Sequence, residues 1–302
     1  MSGWIDLQVN GYAGIDFNGP PLTDRQLIDV CQRLSDDGVQ QCLPTIITDD
    51  LQLMCQRIGR IAQAIETLPE AKQFFAGIHV EGPFINPTDG YVGAHPRQHV
   101  CAPTPERIEQ ILDSGAGHVK MVTLAPESLH ALPAVGQLVD QGILVAAGHC
   151  DPSLAVLDQA IDAGLSLFTH LGNGCPGQLH RHDNIVQRVL SRSQQLTISF
   201  IADGHHVPLF ALKNYLQVVP EDRVVIVSDA ISAAGLGPGK YQLGDQWVHV
   251  DQDLAAWSAD RKHFAGCATT MPQMHRLLTE KLGIGAEQLT RWMIENPARL
   301  LS

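Results

Sequence analysis

Five ionisable residues stand directly behind short apolar runs: Glu81 after Gly-Ile-His-Val, His149 after Val-Ala-Ala-Gly, His170 after Leu-Phe-Thr, Asp203 after Ser-Phe-Ile-Ala and Asp229 after Val-Ile-Val-Ser. Glu81, His149 and His170 offer one carboxylate and two imidazoles, a donor set that suits Zn2+ or a similar divalent ion. Three protein donors leave a position free for water, whose pKa such an ion lowers toward neutrality, and that is the chemistry of hydrolysis. A lone histidine at a strand end is as readily a hydrogen-bonded core residue; the recurrence at corresponding places, with a further acid, is what points to a site. Asp229 follows the most apolar run and would be partly desolvated beside the ion, placed to take a proton from water and return it to a departing amine. Standing before Ala-Ile-Ser, it could instead cap the following turn.

Near the start of the chain, Asp6, Gln8 and Asn10 alternate with apolar residues and so share one face of a strand. Neutral amides are poor ligands for transition ions, which implies one metal rather than two. His79 shares a face with Glu81 and reads as packing in a layer below the site.

Residues so far apart in sequence meet only if the strands carrying them end on one rim. Eight strand-like runs are spaced for this: Ile5–Val9, Gln41–Ile46, Phe75–Val80, Val119–Leu124, Ile143–Ala147, Ser166–Thr169, Leu196–Ile201 and Val224–Val227. Amphipathic stretches alternate with them, including Asp24–Ser35, Asp50–Ile65, Pro105–Leu112, Leu129–Val139, Ser153–Ala163 and Pro208–Leu216, with Thr23, Ser128 and Asp151 as capping residues. The pattern predicts an α/β fold, a single (β/α)8 TIM barrel of the metal-dependent hydrolase type covering residues 1–302. Two segments break the rhythm, 86–103, rich in Pro, Gly and His, and 235–263, which reads as a β-hairpin excursion; long insertions after barrel strands build the mouth of the site.

The 302 residues, 44% hydrophobic, are enough for one large core. A formal charge of −12 with 20 Lys+Arg argues against nucleic acid or an anionic membrane as partner, since both are held by basic patches. No apolar run has the length of a membrane span and the first residues lack a signal-peptide pattern, so a cytoplasmic protein is expected. Seven scattered cysteines without a C-x-x-C pair fit neither a disulfide framework nor a thiolate zinc site.

The ordered motifs HVEGPFINP with a following GAH, then GHC, THLGNG, IADGHHV, VSDA and AGCATTM, resemble those of the N-acetylglucosamine-6-phosphate deacetylases of the amidohydrolase superfamily, and they span nearly the whole chain. The resemblance implies deacetylation of N-acetylglucosamine 6-phosphate to glucosamine 6-phosphate and acetate, with Glu81, His149 and His170 on the metal and Asp229 as catalytic base. It implies substrate contacts at Ala94, His95, Asn173, Gly174, Arg181, His206, Phe264, Ala265 and Gly266, and a homodimer whose subunits share the site. Arg181 offers a bidentate fork for phosphate, and His95 a donor for the acetamide. Three features depart from the family: the small β-sandwich that usually flanks the barrel is expected to be absent, Gly172 and Gly174 stand where an aromatic and Ala are common, and His205 replaces an aliphatic residue. These border the sugar site and leave open another N-acyl or cyclic amide substrate. The absent sandwich leaves open a barrel that serves only as a scaffold or binding protein.

Overall fold

The computed structural model describes residues 3–302. The apolar runs form β1 (Trp4–Val9), β2 (Val39–Ile47), β3 (Ile78–Glu81), β4 (Val119–Leu124), β5 (Leu144–Ala147), β6 (Leu167–Phe168), β7 (Thr197–Ile201) and β8 (Val224–Val227). They pair in chain order in one parallel sheet. Strands buried on both faces need near-continuous apolar sequence, and β7 and β8 are buried throughout. The last strand returns to the first through a single parallel bridge, Val9 to Ala230, and through the Ser228 amide donating to Asp6 Oδ1 at 3.1 Å, so the sheet is a nearly closed barrel.

Helices α1 (Asp24–Asp36), α2 (Leu51–Thr67), α3 (Pro69–Phe74), α4 (Pro105–Ser114), α5 (Ala131–Asp140), α6 (Leu154–Asp162), α7 (Ile185–Leu190), α8 (Leu209–Val218) and α9 (Met271–Leu282) cover the outside. Thr23 caps α1 in a reciprocal bond with Gln26, as its type predicts. Asp50 lies outside α2 as its cap rather than within it. Two expected caps are displaced. α5 opens at Ala131 behind His130, whose φ of 69° carries no side-chain cap, so Ser128 does not serve. Ser153 caps α6 in place of Asp151, because the helix opens only at Leu154, where the Ser153 hydroxyl accepts the Val156 amide; Asp151 instead pairs with Arg188 at 2.8 Å.

The third strand starts at Ile78, not Phe75: Phe75 is the C-cap of α3, a short helix that the sequence reading did not include, and touches β2 by one bridge to Cys42. The 235–263 segment is larger than a hairpin, a three-stranded antiparallel sheet of β9 (Gly239–Leu243), β10 (Gln246–Val250) and β11 (Ala256–Ser258). Its Leu243, Val248 and Val250 build a small second core with Ile47, Ile231 and Ala265 at the barrel mouth. Among the described residues, no helix is long and apolar enough to cross a membrane.

Candidate active site

His149, His170 and Asp229 each come two residues after the end of their strand, and each takes a left-handed backbone, with φ of 51°, 33° and 52°. Non-glycine residues avoid this region, so the chain holds strain at three of the four positions expected to do the chemistry. The turn reverses the backbone and leaves the side chains over the barrel axis, where Glu81, the last residue of β3, meets them. Glu81 Oε1 lies 2.8 Å from His170 Nε2 and 3.5 Å from His149 Nε2. Gln8 Nε2 donates to the same Glu81 oxygen at 3.0 Å and to Asp229 Oδ1 at 3.1 Å, and Asn10 Nδ2 donates to Asp229 Oδ1 at 2.7 Å. His79, one layer down, contacts Thr123 Oγ1 at 2.8 Å and is fully buried, the packing role expected of it.

Backbone partners set the histidine tautomers. His149 Nδ1 faces the Tyr91 carbonyl at 2.8 Å, which can only accept, so Nδ1 carries the proton and Nε2 offers a lone pair toward Glu81. His95 is the reverse. The Thr48 amide donates to its Nδ1 at 3.4 Å and the Thr48 hydroxyl lies at 2.8 Å, so the proton resides on Nε2, 3.9 Å from Glu81 Oε2. Ligand-type atoms of Glu81, His95 and His149 all lie within 4.8 Å of one another, which brings His95 into the donor cluster itself. Its tautomer separates it from the other two: it offers a proton, they offer lone pairs. His170 Nδ1 is buried without a partner, and its Nε2 reaches Glu81. A carboxylate and two imidazole nitrogens converging in a buried pocket fit a divalent ion.

The electrostatics follow from burial and from the density of charge. Burial would raise the Glu81 carboxyl, but the His149 and His170 hydrogen bonds outweigh it and hold it well below its ordinary range. Burial opposes the charged form of His170, yet Glu81 raises it above the usual value. Burial, with the Glu81 charge beside it, pushes Asp229 up to about 6. Burial and the neighbouring His149 lower His95 to about 3, which keeps it neutral.

A cavity of about 320 Å³ opens above this cluster. Its wall includes Glu81, His149, His170 and Asp229, and of the expected substrate contacts Ala94, His95, Asn173, Gly174, His206, Phe264 and Gly266. Two expected contacts lie elsewhere. Arg181 is exposed and outside the wall, and Ala265 is buried in the small core of the 235–263 sheet, where its methyl packs rather than faces ligand. Gly174 is required sterically, since a Cβ there would come within 2.8 Å of His149 Nδ1 at a φ of 59°. Trp257 and Lys262 also line the cavity and went unseen in the sequence. Lys262 had one available signal, a cation in an acidic chain within a segment already expected at the mouth; Trp257 had none, because its position depends on the third strand of a sheet read as a hairpin.

The fold, these strand-end donors and the relatives that follow define the class: a (β/α)8-barrel hydrolase acting on a carbon–nitrogen amide bond. No family model matches the chain. It is 30% identical to N-acetylglucosamine-6-phosphate deacetylase of Bos taurus over 306 residues, 99% of this chain and 73% of that protein. It is 31% identical to that of Danio rerio, covering 74% of it. A solved Mycobacterium smegmatis N-acetyl-D-glucosamine-6-phosphate deacetylase mutant, in complex with N-acetyl-D-glucosamine-6-phosphate, matches at a TM-score of 0.90 and 29% identity over 99% of this chain and 77% of that one. The chain belongs to the N-acetylglucosamine-6-phosphate deacetylase family. An N-acetylgalactosamine-6-phosphate deacetylase of Escherichia coli O157:H7 is also similar, at 28% identity over 99% of this chain and 77% of that protein.

Proposed function

We propose that this protein removes the acetyl group of N-acetylglucosamine 6-phosphate, giving glucosamine 6-phosphate and acetate, with Asp229 as general base. The observation that carries the reading is Asp229, half-buried, beside Glu81, His149 and His170 in the cavity wall. Those three residues would hold one divalent ion, and Zn2+ suits their donor types. When bound, such an ion polarises water and the acetamide carbonyl. Asp229 accepts a proton from the attacking water, and the same carboxyl returns it to the amine nitrogen as the carbon–nitrogen bond breaks. A carboxyl poised near 6 is ionised at neutral pH and still basic enough for the transfer. His95, neutral with its proton on Nε2, donates to the oxygen on which charge develops. His206, Asn173 and the Phe264 ring at the wall hold the sugar. We also assign a homodimer as the working form, because Arg181 stands outside the cavity of its own subunit.

The similarity to an N-acetylgalactosamine-6-phosphate deacetylase favours one second reading, the C4 epimer as substrate. Acetate release by zinc-loaded protein, measured on both epimers, tests both. A kcat/KM at least about tenfold higher on the gluco epimer is expected, and no release from either would sink the assignment.

A further inference from the structure

We propose that Asp203 is a positioning residue for the reaction, acting through His206. This rests on the reading of the cavity as an amino sugar phosphate site. Asp203 follows β7 and is 4% exposed. Its Oδ1 accepts the backbone amides of His205 at 2.9 Å and His206 at 3.0 Å, which folds the loop back through Gly204. Its Oδ2 accepts from His206 Nδ1 at 2.6 Å and lies 3.5 Å from the Cys267 sulfur. Both carboxylate oxygens are therefore committed within the protein. Burial would raise this carboxyl, but the His206 charge and hydrogen bond outweigh it and bring it down to about 2, so the acceptor is ionised throughout the working range.

The imidazole of His206 is thus fixed twice. Its Nδ1 edge is tied to Asp203, and its face tilts against the Phe264 ring, 4.9 Å between centroids. Rotating the ring would break a charge-assisted bond and lose that contact. Nδ1–H points at the carboxylate, which leaves Nε2 as the polar atom that His206 presents to the cavity it lines. A phosphate oxygen can approach Nε2 closely only if that nitrogen bears a proton, whereas a sugar hydroxyl can donate to its bare lone pair. With Nδ1 held protonated, a bound phosphate would call for a second proton on Nε2, with Asp203 as its counter-charge, and a bound hydroxyl would donate to the Nε2 lone pair. The same logic governs an acid behind a catalytic histidine: the carboxylate selects the tautomer and stabilises the cation without touching substrate.

Asp203→Asn keeps an oxygen for the two backbone amides but puts an N–H group against Nδ1, which moves the proton to Nε2 and removes the counter-charge. Nitrogen-15 NMR of the His206 ring should show Nδ1 protonated in the wild type and Nε2 protonated in the variant; Nε2–H alone in the wild type would overturn the proposal. KM for N-acetylglucosamine 6-phosphate should rise by about tenfold or more with kcat changed by less than about threefold, and in a His206→Ala background the same substitution should add less than about twofold. An undiminished cost in that background would show that Asp203 merely holds the loop, and the proposal falls. A loss confined to the phosphorylated sugar places the phosphate at Nε2, and an equal loss on free N-acetylglucosamine places a hydroxyl there; either supports the role. Should zinc-loaded wild type release no acetate, the reading of the cavity fails, while the nitrogen signals still decide what Asp203 does to His206.

Discussion

Asn10 Nδ2 lies 2.7 Å from Asp229 Oδ1, an oxygen that also receives the Gln8 amide at 3.1 Å. Two neutral donors thus hold the base by one oxygen, and neither falls on Oδ2. Replacing Asp229 by Asn preserves the shape but removes the carboxylate proposed to accept the proton of water. Asp229→Asn is expected to lower kcat by several orders of magnitude with metal content and fold unchanged, whereas Glu81→Gln should lose metal. Retention of more than about a tenth of wild-type kcat, with chemistry rate-limiting, would place the base elsewhere.

The same hydrogen bonds set a pH dependence. Burial and the Glu81 charge raise Asp229 to about 6, and the Asn10 bond works in the opposite direction. The base is active as the carboxylate, so kcat/KM should fall by about tenfold per pH unit below its pKa. Asn10→Ala removes a bond that favours the ionised form and should move this acidic limb to higher pH. A limb that stays in place would mean that it reports another group.

Gln8 and Asn10 also bear on metal stoichiometry. Gln8 spends its N–H groups on Glu81 and Asp229, and neither amide offers the nitrogen lone pair that a second ion would need. Protein stripped with a chelator and reconstituted with excess Zn2+ should bind about one equivalent, with activity recovered in proportion. Two ions per chain at full activity would overturn the single-ion reading.

The barrel was legible because strands buried on both faces must be apolar, and the donors because each interrupts such a run at its end. What escaped was set by tertiary contact. The cap of α5 depends on His130 in a left-handed turn, Asp151 is taken up by Arg188 of α7, and α3 is a six-residue helix too short to show a helical period. The tautomers of His149 and His95 come from backbone groups of Tyr91 and Thr48, residues distant in sequence with no signature of their own. Trp257 reaches the cavity only because β11 adds to the sheet after a turn that Asp251 holds by accepting the Asp253 and Ala255 amides, inside a segment read as one hairpin.

Asp6 makes a stability prediction. It is 1% exposed, with Oδ2 unpartnered, and burial raises it to about 7 against the Ser228 and Gln8 hydrogen bonds. A carboxyl raised in the folded state binds its proton more tightly there than in the unfolded chain. Its contribution is therefore fully present below the ordinary carboxyl pKa of 3.8 and is lost progressively as pH rises to about 7. Asp6→Asn keeps an acceptor for the two amides and cannot ionise. In metal-free protein the variant should match wild type near pH 4 and unfold at a higher temperature at pH 8. Equal melting temperatures at pH 8 would show that Asp6 is not destabilising when charged.

Arg181 offers the sharpest test of assembly. Among the residues the family resemblance ties to substrate, it is a guanidinium suited to phosphate, yet it is exposed and outside its own cavity, while Lys262 lines that cavity. Under the proposed homodimer, an arginine in this place would read phosphate in a neighbouring subunit, across a two-fold interface. Arg181→Ala should then raise KM for the phosphorylated sugar by about 10- to 100-fold, the scale of a lost charge-assisted pair, with little effect on the unphosphorylated analogue. A sharper outcome follows from mixing two crippled proteins. Subunits carrying Arg181→Ala keep a working Asp229, and subunits carrying Asp229→Asn keep Arg181, so a mixed dimer regains one complete site. Activity at low substrate should reappear when the two are unfolded and refolded together and stay absent when they are refolded apart. If co-refolding restores nothing while Lys262→Ala alone reproduces the phosphate-specific loss, the phosphate is read within one subunit by Lys262. Sedimentation showing a fully active monomer would remove the shared site by itself.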